Sequence, residues 1–337
     1  MSRPLLLNLF LLGLALLLSV AVGAVFVPPD LLARALAARG LGLPLPVGWT
    51  NVFDTIVFKI RLPHTVLMAL TGMALAGSGA AYQGLFRNPL ADPYLIGVAS
   101  GAGLGAVLAM SYQGAASLLG LFTVPAAAFV GALITVMLVY LLAYTGRATP
   151  NTTLILAGVA VSSFATAVTS FLMLRSQGEL HRAIAWLLGG GTLSGWQPVW
   201  AVLPYSVPGL AVLLTVGHAL NVLQFGEEQA QQMGLAVQRS RLLIVAAASL
   251  ATAAAVAFAG IIGFIGLIVP HVARKLWGAD YRRLIPLSIL GGATVLLLAD
   301  LLARVVLAPQ ELPVGIVTAL VGAPFFLWVL RRSQSDR

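Results

Sequence analysis

The sequence predicts an all-α membrane protein whose chain crosses a lipid bilayer ten times. Of its 337 residues, 60% are hydrophobic and only 9% are charged, whereas a soluble domain carries about a quarter charged residues. Several apolar runs reach the roughly 20 residues that a helix needs to cross a bilayer. Because this composition cannot cover a water-facing surface, we expect a polytopic helical protein in contact with membrane lipid.

Ten apolar segments between polar breaks are the predicted spans. The first, residues 5–27, is too long for the core of a signal peptide and is followed by Val-Pro-Pro-Asp instead of a small-residue cleavage site. We therefore expect it to be retained. The other nine are predicted near residues 63–86, 93–110, 118–142, 152–174, 198–220, 242–260, 261–275, 286–306 and 313–330.

One continuous apolar tract, Leu242 to Ala273, contains two of these segments. As a single straight helix it would be about 48 Å long, well beyond the roughly 30 Å hydrocarbon core, yet two full spans need about 40 residues. The glycines of "AGIIGFIG" allow a sharp reversal. We expect one full helix and one shortened, partly re-entrant helix, with the break covered by protein or by a cavity.

The basic residues predict the orientation of the chain. With ten spans both termini lie on one side, which receives twelve of the 19 Lys and Arg residues, so the termini are expected in the cytoplasm. These twelve are Arg3, Arg87, Arg147, Arg239, Arg241, Arg274, Lys275, Arg282, Arg283, Arg331, Arg332 and Arg337. The opposite side receives Arg34, Arg39, Lys59, Arg61, Arg175, Arg182 and Arg304.

Several other classes of protein and site are disfavoured. The net charge of +9 comes from residues scattered singly or in pairs, so topology explains it better than a nucleic-acid partner does. The absence of cysteine excludes disulfides and Cys-ligated metals. Because His181, His218 and His271 share no helix face, capping or interfacial roles are favoured over metal or haem ligation, and no cofactor is expected.

A polar turn, "QGLFRNPLADPYLIG", separates the second and third spans. Asn88 and Pro89 are expected to stop one helix, and Asp92 and Pro93 to cap and begin the next, since proline suits the first helical turn. The chemistry of these residues alone favours a tight loop with no further role.

A second polar stretch, "GEEQAQQMGL" at residues 226–235, is too polar to lie in lipid. Gly226 and the two glutamates suit a helix N-terminus, and Gly234 suits a left-handed C-cap. We expect a two-turn helix on the cytoplasmic face. Without further information, a solvated connector is the better interpretation.

Charged residues at the outer ends of the spans allow a structural and a functional interpretation. Isolated arginines such as Arg61 and Arg304 usually extend to the lipid headgroups. Asp300 lies four residues before Arg304, so an i,i+4 ion pair is available and is preferred to a proton relay.

Taken together, these motifs resemble the FecCD-type permeases, the membrane subunits of bacterial ABC importers for iron-siderophores, haem and cobalamin. The resemblance begins with "RLPHTVLMALTGMALAGSGAAYQGLFRNPLADPYLIGVASGAG" and continues in order over nearly the whole chain. It implies a type II ABC importer permease fold with one domain over residues 1–337, located in the inner membrane. It also implies a homodimer with an axial path, two cytoplasmic ATP-binding subunits, and a periplasmic or lipid-anchored binding protein. The further matching motifs are "LILAGVAVSS", "LLGGGTLSGW", "GEEQAQQMGL", "GIIGFIGLIVPHVARKL", "LLLADLLAR" and "ELPVGIVTALVGAPFFLWVL".

The resemblance also assigns roles to individual residues. Within a cytoplasmic segment at 221–241 it implies a coupling helix that docks on the ATPase. Where the family often has another arginine this chain has His64, so docking through His64 is either absent or pH-sensitive. The implied gate residues are Asn88, Leu90, Asn151 and Thr152; the coupling residues are Glu227, Glu228, Ala230, Met233 and Gly234; the binding-protein contacts are Arg61, His64 and Arg304.

The expected function is therefore passage of a large metal chelate by alternating access. No GxxxxGK[ST] motif occurs, so ATP hydrolysis is expected in a separate subunit and this chain is not itself an enzyme. An ion-coupled secondary transporter is the alternative, but it would place ionisable groups near the bilayer midplane. A membrane-embedded enzyme would need a catalytic cluster that the spans lack. Siderophore, haem and corrinoid all remain open as substrates, with an iron complex favoured by the breadth of the family.

Overall fold

The computed structural model describes residues 3–23, 25–112, 120–144, 150–175, 179–191, 194–308 and 310–335. Across these ranges the chain is helical and contains no β-strand. Arg147 and Arg337, two of the residues used to predict orientation, lie outside the described ranges, as do residues 192 and 193 of the glycine-rich motif.

The described residues form fifteen α-helices. A π-helical segment, Thr55–Arg61, joins α3 to α4, and 3-10 turns at Pro93–Ile96 and Gly120–Phe122 precede α5 and α6. The helices are α1 (Arg3–Ala21), α2 (Pro29–Gly40), α3 (Asn51–Asp54), α4 (Leu62–Leu85), α5 (Val98–Ser111), α6 (Thr123–Ala143), α7 (Asn151–Arg175), α8 (Leu180–Leu187), α9 (Trp196–Thr215), α10 (Gly217–Leu223), α11 (Glu227–Gln232), α12 (Val237–Ala259), α13 (Ile265–Trp277), α14 (Tyr281–Val305) and α15 (Val314–Ser335).

The all-helical membrane fold is confirmed, but ten is wrong as a count of helices. In the described part of the chain, seven helical segments are long and apolar enough to cross a membrane. Each of the ten predicted apolar segments has a helix in the structure, and three of these helices, α5, α13 and α15, are not among the seven. Of the remaining helices, α11 is the predicted polar helix and α10 begins within the predicted segment 198–220, whereas α2, α3 and α8 form where the sequence indicated only connections.

The second span begins earlier than predicted. Helical structure runs without interruption from Asn51 to Leu85, a length of 35 residues, whereas the span was predicted from residue 63. The π segment explains the difference, since its wider turns bond residue i to residue i−5 and the Leu62 N–H donates to the Val57 carbonyl. Pro63 therefore follows a π turn inside a continuing helix.

The predicted break in the apolar tract is confirmed. α12 is a full helix that ends at Ala259, and α13 has only 13 residues, or about 20 Å. Between them Gly260 has φ +80° and Phe264 has φ +69°, which reverses the chain. The Tyr94 hydroxyl donates to the Ile262 carbonyl at 2.9 Å and accepts from the Ile262 N–H at 3.2 Å, so this loose backbone has a protein partner.

The bundle is built around α4. Of the most apolar window of the Asn51–Leu85 segment, 83% is buried, against 22% for α7. Gly72 of α4 lies against the backbone of Gly292 in α14, and Gly79 lies against Gly266 in α13, so a Cβ at either position would collide with main chain. Between helices in a membrane there is no hydrophobic driving force, so their association depends on close packing. Small residues at these crossings allow that packing.

Candidate functional site

The turn that follows α4 has the tight conformation that its sequence predicted. The Asn88 Oδ1 atom accepts from the Leu90 N–H at 2.9 Å, and Arg87 adopts a left-handed φ of +52°. The Asp92 carboxylate accepts from the Tyr94 N–H at 2.8 Å and begins the 3-10 turn. Burial raises the pKa of Asp92 to about 6, against the effect of this hydrogen bond. We call residues 86–92 the gate turn.

Asn151, a second predicted gate residue, meets the helix that leads into the gate turn. It is the first residue of α7, and its Nδ2 atom donates to the Leu85 carbonyl at the end of α4, at 3.2 Å. Thr152 and Asn88 are exposed, and Leu90 is half-buried. The structure therefore brings the N-terminus of α7 and the gate turn together at one end of the bundle.

The predicted polar helix is present as α11. Gly226 has φ +109° and Gly234 has φ +86°, so both glycines adopt conformations that favour glycine. Glu228 and Gln232 are exposed and share a free face of α11, and Met233, the C-cap residue, is exposed as well. Ala230 is fully buried, so in this conformation it packs α11 onto the bundle and offers no surface to a partner.

Glu227 binds within the protein in this conformation, since its carboxylate accepts from Arg241. Arg241, on the first turns of α12, is buried with only 1% of its surface exposed. One of its nitrogens, Nη2, donates both to Glu227 Oε1 at 2.5 Å and to Asn151 Oδ1 at 3.2 Å. We call Glu227, Arg241 and Asn151 the Arg241 cluster.

Sequence reasoning missed this role of Arg241, which it counted only as a positive charge at a span end. A signal was present in the spacing. Arg239 and Arg241 are two residues apart on one helix, so their side chains cannot share a face. Arg239 is exposed, and Arg241 consequently faces the bundle.

At the opposite end of the bundle the predicted i,i+4 pair is confirmed. Asp300 Oδ2 accepts from Arg304 Nε at 3.0 Å, and the second oxygen, Oδ1, lies 2.9 Å from His64 Nε2. Arg304 Nη2 also donates to the carbonyl and the hydroxyl of Ser19, both at 3.1 Å. Asp300 thus joins α14, α4 and α1.

Arg61 belongs to the same group and caps a helix. Its Nη1 atom donates to the carbonyls of Val20 and Ala21 at 2.9 and 3.2 Å, and its Nη2 atom donates to Val25 at 2.5 Å. These carbonyls follow or end α1, where a cation is stabilising. The guanidinium is buried and faces inward in this conformation, and a contact with a binding protein stays a prediction. We call Arg61, His64, Asp300 and Arg304 the Asp300 cluster.

The Asp300 cluster forms part of the wall of a cavity of about 490 Å³. Glu311 and the glycine run Gly189–Gly191 line other parts of the wall. His181 and His218 are exposed and lie outside this lining. Among the described residues, no group of three or more His, Asp or Glu side chains could hold a metal ion.

Curated relatives of the chain are membrane transport proteins. The cobalamin import system permease BtuC of Halobacterium salinarum is 49% identical over 288 residues, covering 86% of this chain and 76% of the relative. The permease YvrB of Bacillus subtilis is 40% identical and covers 96% and 92%. The hemin transport permease HmuU of Yersinia pestis is 39% identical and covers 84% and 85%.

A solved structure shows the same fold. It is described as an inward-facing conformation of a metal-chelate type ABC transporter, with a TM-score of 0.83, 31% identity, and coverage of 97% of this chain and 98% of the other. The model of the FecCD transport family matches residues 11–332. The polar turn, the short helix α11 and the broken tract all lie within this match, and the chain belongs to the FecCD transport family.

Proposed function

We propose that this chain is the permease subunit of a type II ABC importer and carries cobalamin, haem or an iron-siderophore into the cytoplasm by alternating access. The observation that carries the proposal is the position of α11, a polar helix with an exposed face, beside the gate turn in a chain of this family. Relatives named for cobalamin and hemin transport support a large metal chelate as the substrate.

The exposed face of α11 is the proposed contact with an ATP-binding subunit. Glu228 lies on this face and the exposed Met233 and Gly234 follow the end of the helix, while Glu227 and Ala230 hold the helix against the bundle. ATP hydrolysis belongs to that separate subunit. In the proposed orientation, α11, the gate turn and both chain termini lie on the cytoplasmic side of the inner membrane.

In a homodimer with two ATP-binding subunits, the predicted gate residues would lie at the interface between the two copies of this chain. α7 begins at the gate and exposes large apolar side chains along its length, among them Leu156, Phe164 and Phe171. If α7 faces the second subunit, Asn88, Leu90, Asn151 and Thr152 lie at the cytoplasmic end of the axial path. Polar groups at a constriction between helix ends suit a gate.

The substrate-binding protein is proposed to dock at the Asp300 end. All three predicted contacts line the cavity, and because Arg61 is buried and caps α1, we assign the docking role to the less buried His64 and Arg304. Acidic side chains on the binding protein would compete there with Asp300 for Arg304 and His64. Such charge pairs act mainly on the association rate and the register of the complex.

The test is uptake by the reconstituted complex. Proteoliposomes that contain this chain and its cognate ATP-binding subunit, supplied with the binding protein and labelled cobalamin, are expected to accumulate label only with ATP. Haemin and a ferric siderophore are tested in parallel to identify the substrate. Uptake by the chain alone under a proton or sodium gradient would contradict the proposal and favour the secondary transporter.

A further inference from the structure

Arg241 is bonded at once to the helix that we propose docks on the ATPase and to the helix that begins at the gate. From its Nη2 atom one hydrogen bond runs to Glu227 of α11 and another to Asn151 of α7. The Asn151 amide in turn donates to the carbonyl of Leu85, the residue before the gate turn. Three hydrogen bonds therefore connect α11, through the side chains of Arg241 and Asn151, to the end of α4 beside the gate turn.

The same guanidinium is only partly paired. Arg241 Nε and Nη1 are buried and have no hydrogen-bond partner among the described residues. Leaving a buried polar group unpaired is costly, so such a group calls for an explanation. In a protein that alternates between conformations, donors without a partner in one state can be paired in another.

A partner for these donors lies one helical turn away. Gln238 precedes Arg241 by three residues on α12, a spacing that puts both side chains on the same face. The Gln238 Oε1 atom is itself buried and has no partner among the described residues. An unpaired acceptor therefore stands beside two unpaired donors on one helix.

We infer that Arg241 is the positioning residue that transmits movement of α11 to the gate, by keeping its bond to Glu227 and exchanging its bond to Asn151 for a bond to Gln238. The inference rests on the proposed function. When the ATP-binding subunit moves α11, Glu227 moves with it and Arg241 is drawn away from Asn151. The Asn151 Oδ1 atom then loses its partner, so the amide whose Nδ2 atom binds the Leu85 carbonyl is no longer held in place and the gate turn is free to rearrange. The two arrangements of one side chain form the two-state element that such coupling requires.

The experiment compares transport with ATP hydrolysis in the reconstituted complex. Arg241→Met is expected to lower ATP-dependent uptake of labelled cobalamin about tenfold while ATP hydrolysis stays within about twofold of wild type. Should haemin or a siderophore prove to be the wild-type substrate, that compound replaces cobalamin. Arg239→Met is the matched control, because it removes the same charge from an exposed position two residues away, and it should leave both rates unchanged. Arg241→Lys should restore part of the uptake.

A second variant separates transmission from folding. Gln238→Leu keeps all the bonds of Arg241 in this structure and removes only the proposed second partner, so uptake per ATP should fall without a loss of thermal stability. The inference is overturned if Gln238→Leu transports normally, or if Arg241→Met lowers uptake and hydrolysis in equal proportion. A wild-type complex without ATP-dependent uptake would instead overturn the proposed function, before any variant is compared.

Discussion

The two ends of the bundle each carry a buried arginine cluster, and the clusters differ in how fully they are paired. In the Asp300 cluster both carboxylate oxygens have a cationic or imidazole partner, and Arg61 and Arg304 donate to backbone carbonyls near the end of α1. In the Arg241 cluster one guanidinium nitrogen makes both hydrogen bonds, while the other two are buried without a partner among the described residues.

This difference indicates which end is fixed and which end moves. A fully paired ionic network in a low-dielectric interior is stabilising only as a whole, because removing one member leaves its partners buried and charged. A cation whose hydrogen bonds all come from one nitrogen is stabilised less by its present position, so moving it costs less free energy. The Asp300 cluster therefore fixes α1, α4 and α14 together, and the Arg241 cluster is suited to exchange partners.

The largest expected effect on stability is at Asp300. Asp300→Ala leaves Arg304 and His64 without their shared acceptor and should lower the free energy of unfolding by about 3–5 kcal/mol. Thermal unfolding of the purified protein in detergent measures this. The control is Asp30→Ala, which breaks the exposed pair with Arg34 and should cause no measurable change. Equal losses in the two variants would contradict the assignment of the Asp300 cluster as a fixed network.

A smaller loss is expected when the cap on α1 is removed. Arg61→Ala frees the carbonyls of Val20, Ala21 and Val25 and should cost about 1–3 kcal/mol. Gly23→Ala should act in the same direction, because a Cβ at this position would meet the Arg61 guanidinium. Gly13→Ala, in open space on the same helix, is the control and should be neutral or slightly stabilising.

The gate end should respond to pH through Asp92. Because its pKa in the folded protein is raised to about 6 from 3.8, ionisation at neutral pH opposes folding, and this penalty disappears as the pH falls through that window. Asp92→Asn keeps an acceptor for the Tyr94 N–H without the charge. It should therefore stabilise the protein by about 1–2 kcal/mol at pH 7.5 and by less at pH 5. A shift in melting temperature that is the same at both pH values would contradict the role of charge.

The smallest expected effect on stability is at Arg241. Glu227 keeps 35% of its side chain exposed, so it regains water when its partner is removed. Arg241→Met should therefore change the free energy of unfolding by no more than about 1 kcal/mol, in contrast to Asp300→Ala. Chemical denaturation of the two variants under the same conditions measures the contrast. A loss at Arg241 as large as that at Asp300 would mean that both clusters are fixed.

Composition and run length predicted the elements that depend only on the local sequence. The apolar segments, the reversal at Gly260, the gate turn and α11 were all predicted, because lipid demands apolar length and turns demand particular residues. The Asp300–Arg304 pair was predicted because both residues lie on one helix. Arg61 as a cap and Arg241 as a link were missed, since their partners are distant in sequence and meet only in the folded bundle. The π segment before Pro63 was missed for a different reason, because proline at the start of an apolar run is typical of the first turn of a helix.

The contrast between the two ends is tested most directly by hydrogen exchange of the reconstituted complex, followed by mass spectrometry with and without bound nucleotide. We expect amide exchange in the segments of the Arg241 cluster to change on nucleotide binding, while exchange around the Asp300 cluster stays the same. Exchange that changes equally at both ends, or only around the Asp300 cluster, would contradict the account. The segments to compare are 83–97, 150–156 and 226–241 at the first end and 18–23, 58–65 and 298–306 at the second.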